Sequence, residues 1–161
     1  MYSIAAVIPT WLIESVLCED SPVIRVIPNT PSQIGKGVNP YCFGKYVNDE
    51  QKQIVRKLLA LFGNAIEIDE KLMSTATAIT AVGPTYWFPA VKSLLEFAEK
   101  KEISKELAYQ LIVGTMEGTA SLILQTMKDP DQLKEMIGTR TIDEEKTKQI
   151  FTMRLSPLMK K

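Results

Sequence analysis

The chain has no histidine. Its absence removes the commonest general base, the Ser-His-Asp triad, the Cys-His dyad and most zinc sites. Cysteine is scarce. Cys18 and Cys42 lie too far apart for a C-x-x-C motif, and neither points to a secreted disulfide framework. Two reduced thiols in a cytosolic protein are expected, since free cysteine behaves as a small hydrophobe. There is no excess of either charge: 19 basic side chains face 19 acidic ones. Nothing therefore draws the whole chain onto nucleic acid or an anionic membrane, although one local anion site stays open. No P-loop, nucleophile elbow or zinc spacing occurs. The first 17 residues are apolar but lack a basic leader, and Pro9, Thr10, Glu14 and Ser15 interrupt them. A spanning helix needs ~20 mainly apolar residues, so a strand followed by a helix is expected there, not a signal or an anchor.

What remains is ordinary globular material: 161 residues, 45% apolar and 24% charged, enough for one domain or two small ones. Up to residue 68 the elements are short and alternate. Residues 2–7 read as a strand, and Pro9 and Thr10 open a helix bearing Trp11, Leu12, Ile13, Val16 and Leu17. Residues 23–27 (VIRVI) read as a second strand, and P-N-T-P (28–31) as a loop. A third strand is expected over 38–43, where Pro40 implies an edge or a bulge. Asn48 caps the next helix with Gln51 three residues on, and AIEI (65–68) closes the series as a strand. This alternation predicts a parallel sheet. So small a parallel sheet, with few helices to cover it, reads as incomplete.

After residue 68 the strands disappear. Helices are expected near 69–80, from Pro84, from Ser104 to about Met127, from Pro130 to Met136, and over 142–155. The long helix should turn Leu107, Ala108, Leu111, Ile112, Thr115, Thr119, Leu122 and Ile123 inward. Its Gly114 and Gly118 each cost roughly 1 kcal/mol relative to alanine, which suggests a close helix crossing, either within one chain or between subunits. The acidic runs 69–71 and 143–146 read as solvated helix starts. G-K-G-V-N-P (35–40) is not a dinucleotide fingerprint, because Pro40 stands at the third glycine and no strand feeds directly into a helix.

Three segments stand out together: VIRVIPNTP (23–31), TAITAVGPTYW (77–87) and DQLKEMIGTRTI (131–142). In this order and spacing, with SIAAVIP at 3–9, they resemble the pyrroline-5-carboxylate reductase family over essentially the whole chain. The resemblance implies an α+β fold: a truncated Rossmann-type α/β remnant over 1–68, entered about halfway, then an all-α dimerisation domain of the 6-phosphogluconate dehydrogenase carboxy-terminal type over 69–161. It implies an NADP- or NAD-dependent oxidoreductase of proline biosynthesis, passing hydride to the C=N bond of 1-pyrroline-5-carboxylate. Its partners would be a second copy of the chain and a small cyclic imino acid, with no nucleic acid and no membrane, in the cytoplasm.

Residue by residue, Ala5, Ala6, Asn29 and Pro31 match cofactor-side positions. Thr80, Gly83, Pro84, Gly138 and Thr139 match substrate-side positions, with Tyr86 beside them. Thr141 matches the threonine whose hydroxyl meets the imine nitrogen. The chain departs from the pattern in four ways. G-x-G-x-x-G is missing, Val7 replaces a glycine, Val82 replaces a serine, and the family's T-S-P-G-G-T-T is shortened to Gly138, Thr139, Arg140 and Thr141. Arg140 could grip a carboxylate or stand as a surface charge. Weak or absent dinucleotide binding and no turnover by these residues alone are expected. A divergent, non-catalytic dimerisation or ligand-binding module is the alternative.

Overall fold

The computed structural model describes residues 1–138 and 142–155, the side chains of 151–155 excepted. One compact unit spans Met1–Thr85 and another Tyr86–Phe151.

The first unit is built on four strands, β1 (Tyr2–Ser3), β2 (Ile24–Val26), β3 (Gly37–Phe43) and β4 (Gly63–Glu67), lying side by side in that order. Helix α1 (Thr10–Glu14) connects β1 to β2, and α2 (Asp49–Ala60) connects β3 to β4. Both of these pairs are parallel. The middle pair, β2–β3, is antiparallel, so the sheet is mixed and not parallel as the alternation predicts. The reason lies in the connection. Pro28 to Lys36 supplies one 3₁₀ stretch, Thr30–Ile34, and no crossover helix. A chain that does not cross over returns antiparallel.

Pro40 sits in β3 between two neighbours, not at an edge and not in a bulge. The Ile27 amide donates to the Pro40 carbonyl at 2.9 Å, so Pro40 faces β2. An ordinary residue there would also donate to Ile27. Proline cannot, and β2 stops one residue earlier, at Val26. The ladder to β4 uses the alternate residues, with Gly37 donating to Phe62 and Ile68 donating to Tyr41, and survives intact.

The strands alternate their side chains between two faces. Ile24, Val26 and Tyr41 pack with Val55 and Leu59 of α2. Asn48 caps α2 as the sequence indicates: its side chain accepts from the Gln51 amide at 2.9 Å, and the Gln51 side chain accepts from the Asn48 amide at 3.0 Å. On the opposite face Ile27 and Cys42 pack against Met73, the first residue of α3 (Met73–Thr80), which is 0% exposed. This packing carries the first unit to Thr85, past the boundary expected at 68. Gly63 begins β4 with a φ of +124°, and a Cβ there would collide with the Gly37 backbone.

The second unit holds most of α4 (Pro84–Glu99), all of α5 (Lys105–Thr126) and α6 (Pro130–Glu135), and α7 (Glu144–Leu155) as far as Phe151. The Ser104 side chain caps α5 by accepting from the Leu107 amide at 3.3 Å. The inward stripe expected on α5 is not buried in the chain. Ala108 is, but Leu107, Leu111, Leu122 and Ile123 are 47%, 53%, 46% and 36% exposed. A helix apolar on most sides needs neighbours on most sides. Among the described residues, added Cβ atoms at Gly114 and Gly118 would meet nothing within 4 Å, so these glycines make no close crossing there. By length and composition alone α5 is also long and apolar enough to cross a bilayer.

Candidate functional site

The sequence-predicted residues of the first unit fall into two hydrogen-bonded groups. The first is centred on Arg25, whose side chain is 3% exposed. Arg25 is on β2, one residue out of phase with Ile24 and Val26, and therefore on the α3 face of the sheet. Its Nε donates to the Ala5 carbonyl at 3.3 Å and its Nη2 to the Ala6 carbonyl at 2.6 Å. Its Nη1 pairs with Glu70 Oε1. The other oxygen of Glu70 accepts from the Thr10 amide at 3.1 Å, the Thr10 hydroxyl at 2.6 Å and the Cys42 thiol at 3.3 Å. Glu70 is thus a structural anchor, not the solvated helix start that the acidic run suggests.

The titration behaviour follows from this packing. Burial pushes the Glu70 carboxyl up, but hydrogen bonds from the Thr10 hydroxyl and amide, Arg25 and Cys42 outweigh it and hold the group below the ordinary carboxylate range. Cys42 is pushed up to about 12, by burial first and then by its bond to Glu70 and that residue's charge.

The second group joins Asn29 to Thr80. Asn29 Nδ2 donates to the Thr80 carbonyl at 3.1 Å, and its Oδ1 accepts from the Val38 amide at 3.1 Å. The P-N-T-P loop, in which Pro31 is the second residue of the 3₁₀ stretch, is thereby fastened to the last turn of α3. Just beyond, Gly83 passes close to that turn, and a Cβ on it would stand 2.5 Å from the Ile79 carbonyl oxygen. Pro84 then starts α4, as its fixed φ favours. No hydrogen bond links the two groups among the described residues, but they share an apolar contact set. Cys42, bonded to Glu70, and Ala81, next to Thr80, both pack with Ile27 and Met73.

Gly138 is exposed in the second unit, with nothing within 4 Å of an added Cβ. Thr139, Arg140 and Thr141 lie outside the described residues. Val7, where the resemblance implies a glycine, is 78% exposed, so its side chain stands in solvent beside Ala6. Among the described residues no group of three or more His, Cys, Asp or Glu is placed to hold a metal.

Comparison with known proteins gives this arrangement its context. Residues 70–141 match the pyrroline-5-carboxylate reductase dimerisation family. A pyrroline-5-carboxylate reductase of Corynebacterium melassecola is 33% identical over 137 residues, which are 85% of this chain and 51% of the relative. Pyrroline-5-carboxylate reductase 1 of Bacillus subtilis is 32% identical, over 84% of this chain and 46% of the relative. The crystal structure of Plasmodium falciparum pyrroline carboxylate reductase with NADP bound superposes with a TM-score of 0.87, at 27% identity, over 98% of this chain and 67% of that one.

Residues 70–141 belong to the pyrroline-5-carboxylate reductase dimerisation family, and the chain resembles one part of these reductases.

It spans about half the length of the curated family members it matches. In family terms the mixed sheet is Rossmann-type α/β, and the helices that follow carry the dimerisation domain. The exposed stripe of α5 lies within the residues that match the dimerisation model. The sequence missed Arg25, Glu70 and Thr10. The only signal for them was an arginine inside an apolar strand, a position that requires a buried partner.

Proposed function

We propose that this chain is the part of a pyrroline-5-carboxylate reductase that shapes the nicotinamide end of the cofactor site, seats the imino acid and forms the homodimer, in the cytoplasm. The observation that carries the reading is the Asn29–Thr80 bond, which joins a cofactor-side loop to a substrate-side turn.

The residues present fit a dinucleotide at one point. The turn at Ala5 to Val7 is exposed along Ala6 and Val7, and among the described residues the amides of Ala6 and Val7 have no acceptor within the chain. NADP or NAD, when bound, supplies the hydride for the C=N bond. The chain's own part is to orient and to bind. Asn29 holds the P-N-T-P loop in place, and the Thr80–Pro84 turn leads into the amino-terminal end of α4, whose dipole suits the carboxylate of a small cyclic imino acid. The family resemblance assigns Thr141 as the hydroxyl donor to the imine nitrogen and Gly138 and Thr139 as further substrate-side positions. No G-x-G-x-x-G occurs in these 161 residues, so they bind dinucleotide weakly and reduce no imine by themselves.

The test joins the chain in frame to the nucleotide-binding part of the B. subtilis reductase and follows NADPH oxidation with 1-pyrroline-5-carboxylate. Turnover that falls at least tenfold with Thr141→Ala supports the proposal. A folded chimera that binds NADPH yet reduces nothing supports instead a non-catalytic module, a reading that the exposed Val7 side chain also favours. Turnover by the 161 residues alone would overturn the claim that they are inactive by themselves.

A further inference from the structure

We infer that Arg25, anchored by Glu70, is a positioning residue that aims the amides of Ala6 and Val7 outward as a pair of donors for the cofactor. The inference rests on the proposal that this turn touches a dinucleotide.

The argument comes from peptide geometry. There are no cis peptide bonds among the described residues. In a trans peptide the C=O of one residue and the N–H of the next point in opposite directions. Arg25 draws two successive carbonyls, those of Ala5 and Ala6, toward itself. The N–H groups of Ala6 and Val7, in the same two peptide planes, are therefore turned away from Arg25. Ala6 and Val7 are both exposed, so these donors face solvent. Two successive amides that point the same way make a concave partial positive charge, suited to a carbonyl or phosphoryl oxygen.

The guanidinium is suited to this task because its planar fork reaches three acceptors at once in fixed directions. Glu70 serves it in two ways. It neutralises a cation that is 3% exposed, and through the Thr10 amide and hydroxyl it fixes the far end of the same turn, where α1 begins. A lysine at position 25 would keep the charge and lose the fork.

The experiment uses the full chain, with Arg25→Lys and Glu70→Gln as variants and Val55→Ala as a control that loosens the other face of the sheet. NADP⁺ affinity is measured by calorimetry, amide shifts and hydrogen exchange by nuclear magnetic resonance, and stability by thermal melting. The expected result is an NADP⁺ affinity about tenfold lower in Arg25→Lys than in Val55→Ala at matched stability, with shifts concentrated at Ala6 and Val7. Equal affinities in the two variants would overturn the positioning role. If the unsubstituted chain binds no NADP⁺, as the missing G-x-G-x-x-G allows, the same variants are compared in the chimera with the B. subtilis nucleotide-binding part, where equal affinities overturn the positioning role, and the amides decide the rest. Ala6 and Val7 signals displaced in Arg25→Lys support the aiming role, and signals unmoved refute it.

Discussion

Replacing Gly114 and Gly118 by alanine should reveal which surface α5 meets, because the two possibilities carry opposite signs. Among the described residues both positions are open, with nothing within 4 Å of an added Cβ. If α5 stays as exposed as it is in one chain, each Gly→Ala change only improves helix propensity, by about 1 kcal/mol. The double variant would then be about 2 kcal/mol more stable, which raises Tm by roughly 4–8 °C for a chain of this size. If the glycines instead let a second copy approach closely, each methyl overfills a packed contact at about 1–3 kcal/mol. Two methyls on each of two chains set roughly 4 kcal/mol or more against association. The propensity gain is common to monomer and dimer and cancels. At 1.4 kcal/mol per tenfold, dissociation strengthens by about three orders of magnitude. Sedimentation velocity at micromolar concentrations should therefore show a dimer for the unsubstituted chain and a monomer for the double variant, with a melting temperature that depends on concentration only in the former. A double variant that melts higher at every concentration, with unchanged mass, would refute the close crossing. So would an unsubstituted chain that is monomeric in water and partitions into detergent, since α5 has the length and composition of a bilayer span.

The Arg25–Glu70 anchor should fail in acid. Its carboxyl is held below the ordinary 4.5, so its stabilisation is complete above about that pH and is lost as pH falls through the lower folded value. Urea midpoints of the chain and of Glu70→Gln should differ at pH 7 and converge below that range; a constant gap would show that Glu70 is not the group involved. Cys18 is exposed and Cys42 buried, with Cys42 pushed up to about 12, so a disulfide reagent at mildly alkaline pH should titrate Cys18 at once and Cys42 only on unfolding. Fast modification of both thiols would contradict the packing of Cys42 against Met73. Asn48→Ala should cost about 1 kcal/mol in a denaturant melt through loss of the capping box; no measurable loss would mean that the box is idle in solution.

The parts of the fold that follow from neighbours in sequence were legible. Asn48 with Gln51, Ser104 before Leu107, and Pro84 and Pro130 at helix starts each declare an element within a few residues, and each element begins where its signal stands. Sheet direction was not legible in the same way. Parallel pairing is the expectation when strands alternate with connectors, but direction depends on whether the connector crosses over, and the one between β2 and β3 is a loop that does not. Pro40 misled for a related reason. A proline excludes one donor on one side of a strand, and its position in the middle of the sheet is tolerable because that side faces Ile27, just past the end of β2. On α5 the periodicity identified an apolar stripe but not what covers it, and in a single chain most of that stripe stays uncovered.

The site divides along the same line. Asn29 and Thr80 were marked by separate segments 51 residues apart, and the structure adds that they bond to each other. Arg25 and Glu70 were invisible because each looks ordinary alone, one a charge in a short strand and the other part of an acidic run at a helix start. Only β2 lying beside β3, with α3 against the same face, places the guanidinium, the carboxylate and the Cys42 thiol together. A buried cation of this kind gives a practical rule. An arginine flanked on both sides by β-branched residues in a strand must have an acceptor set from elsewhere in the chain, because the cost of leaving it unpaired exceeds what one strand can offset. Here the acceptors include the carbonyls of the very turn whose outward amides face the solvent, so the need to satisfy a buried charge also fixes the direction of the donors on the opposite edge of that turn.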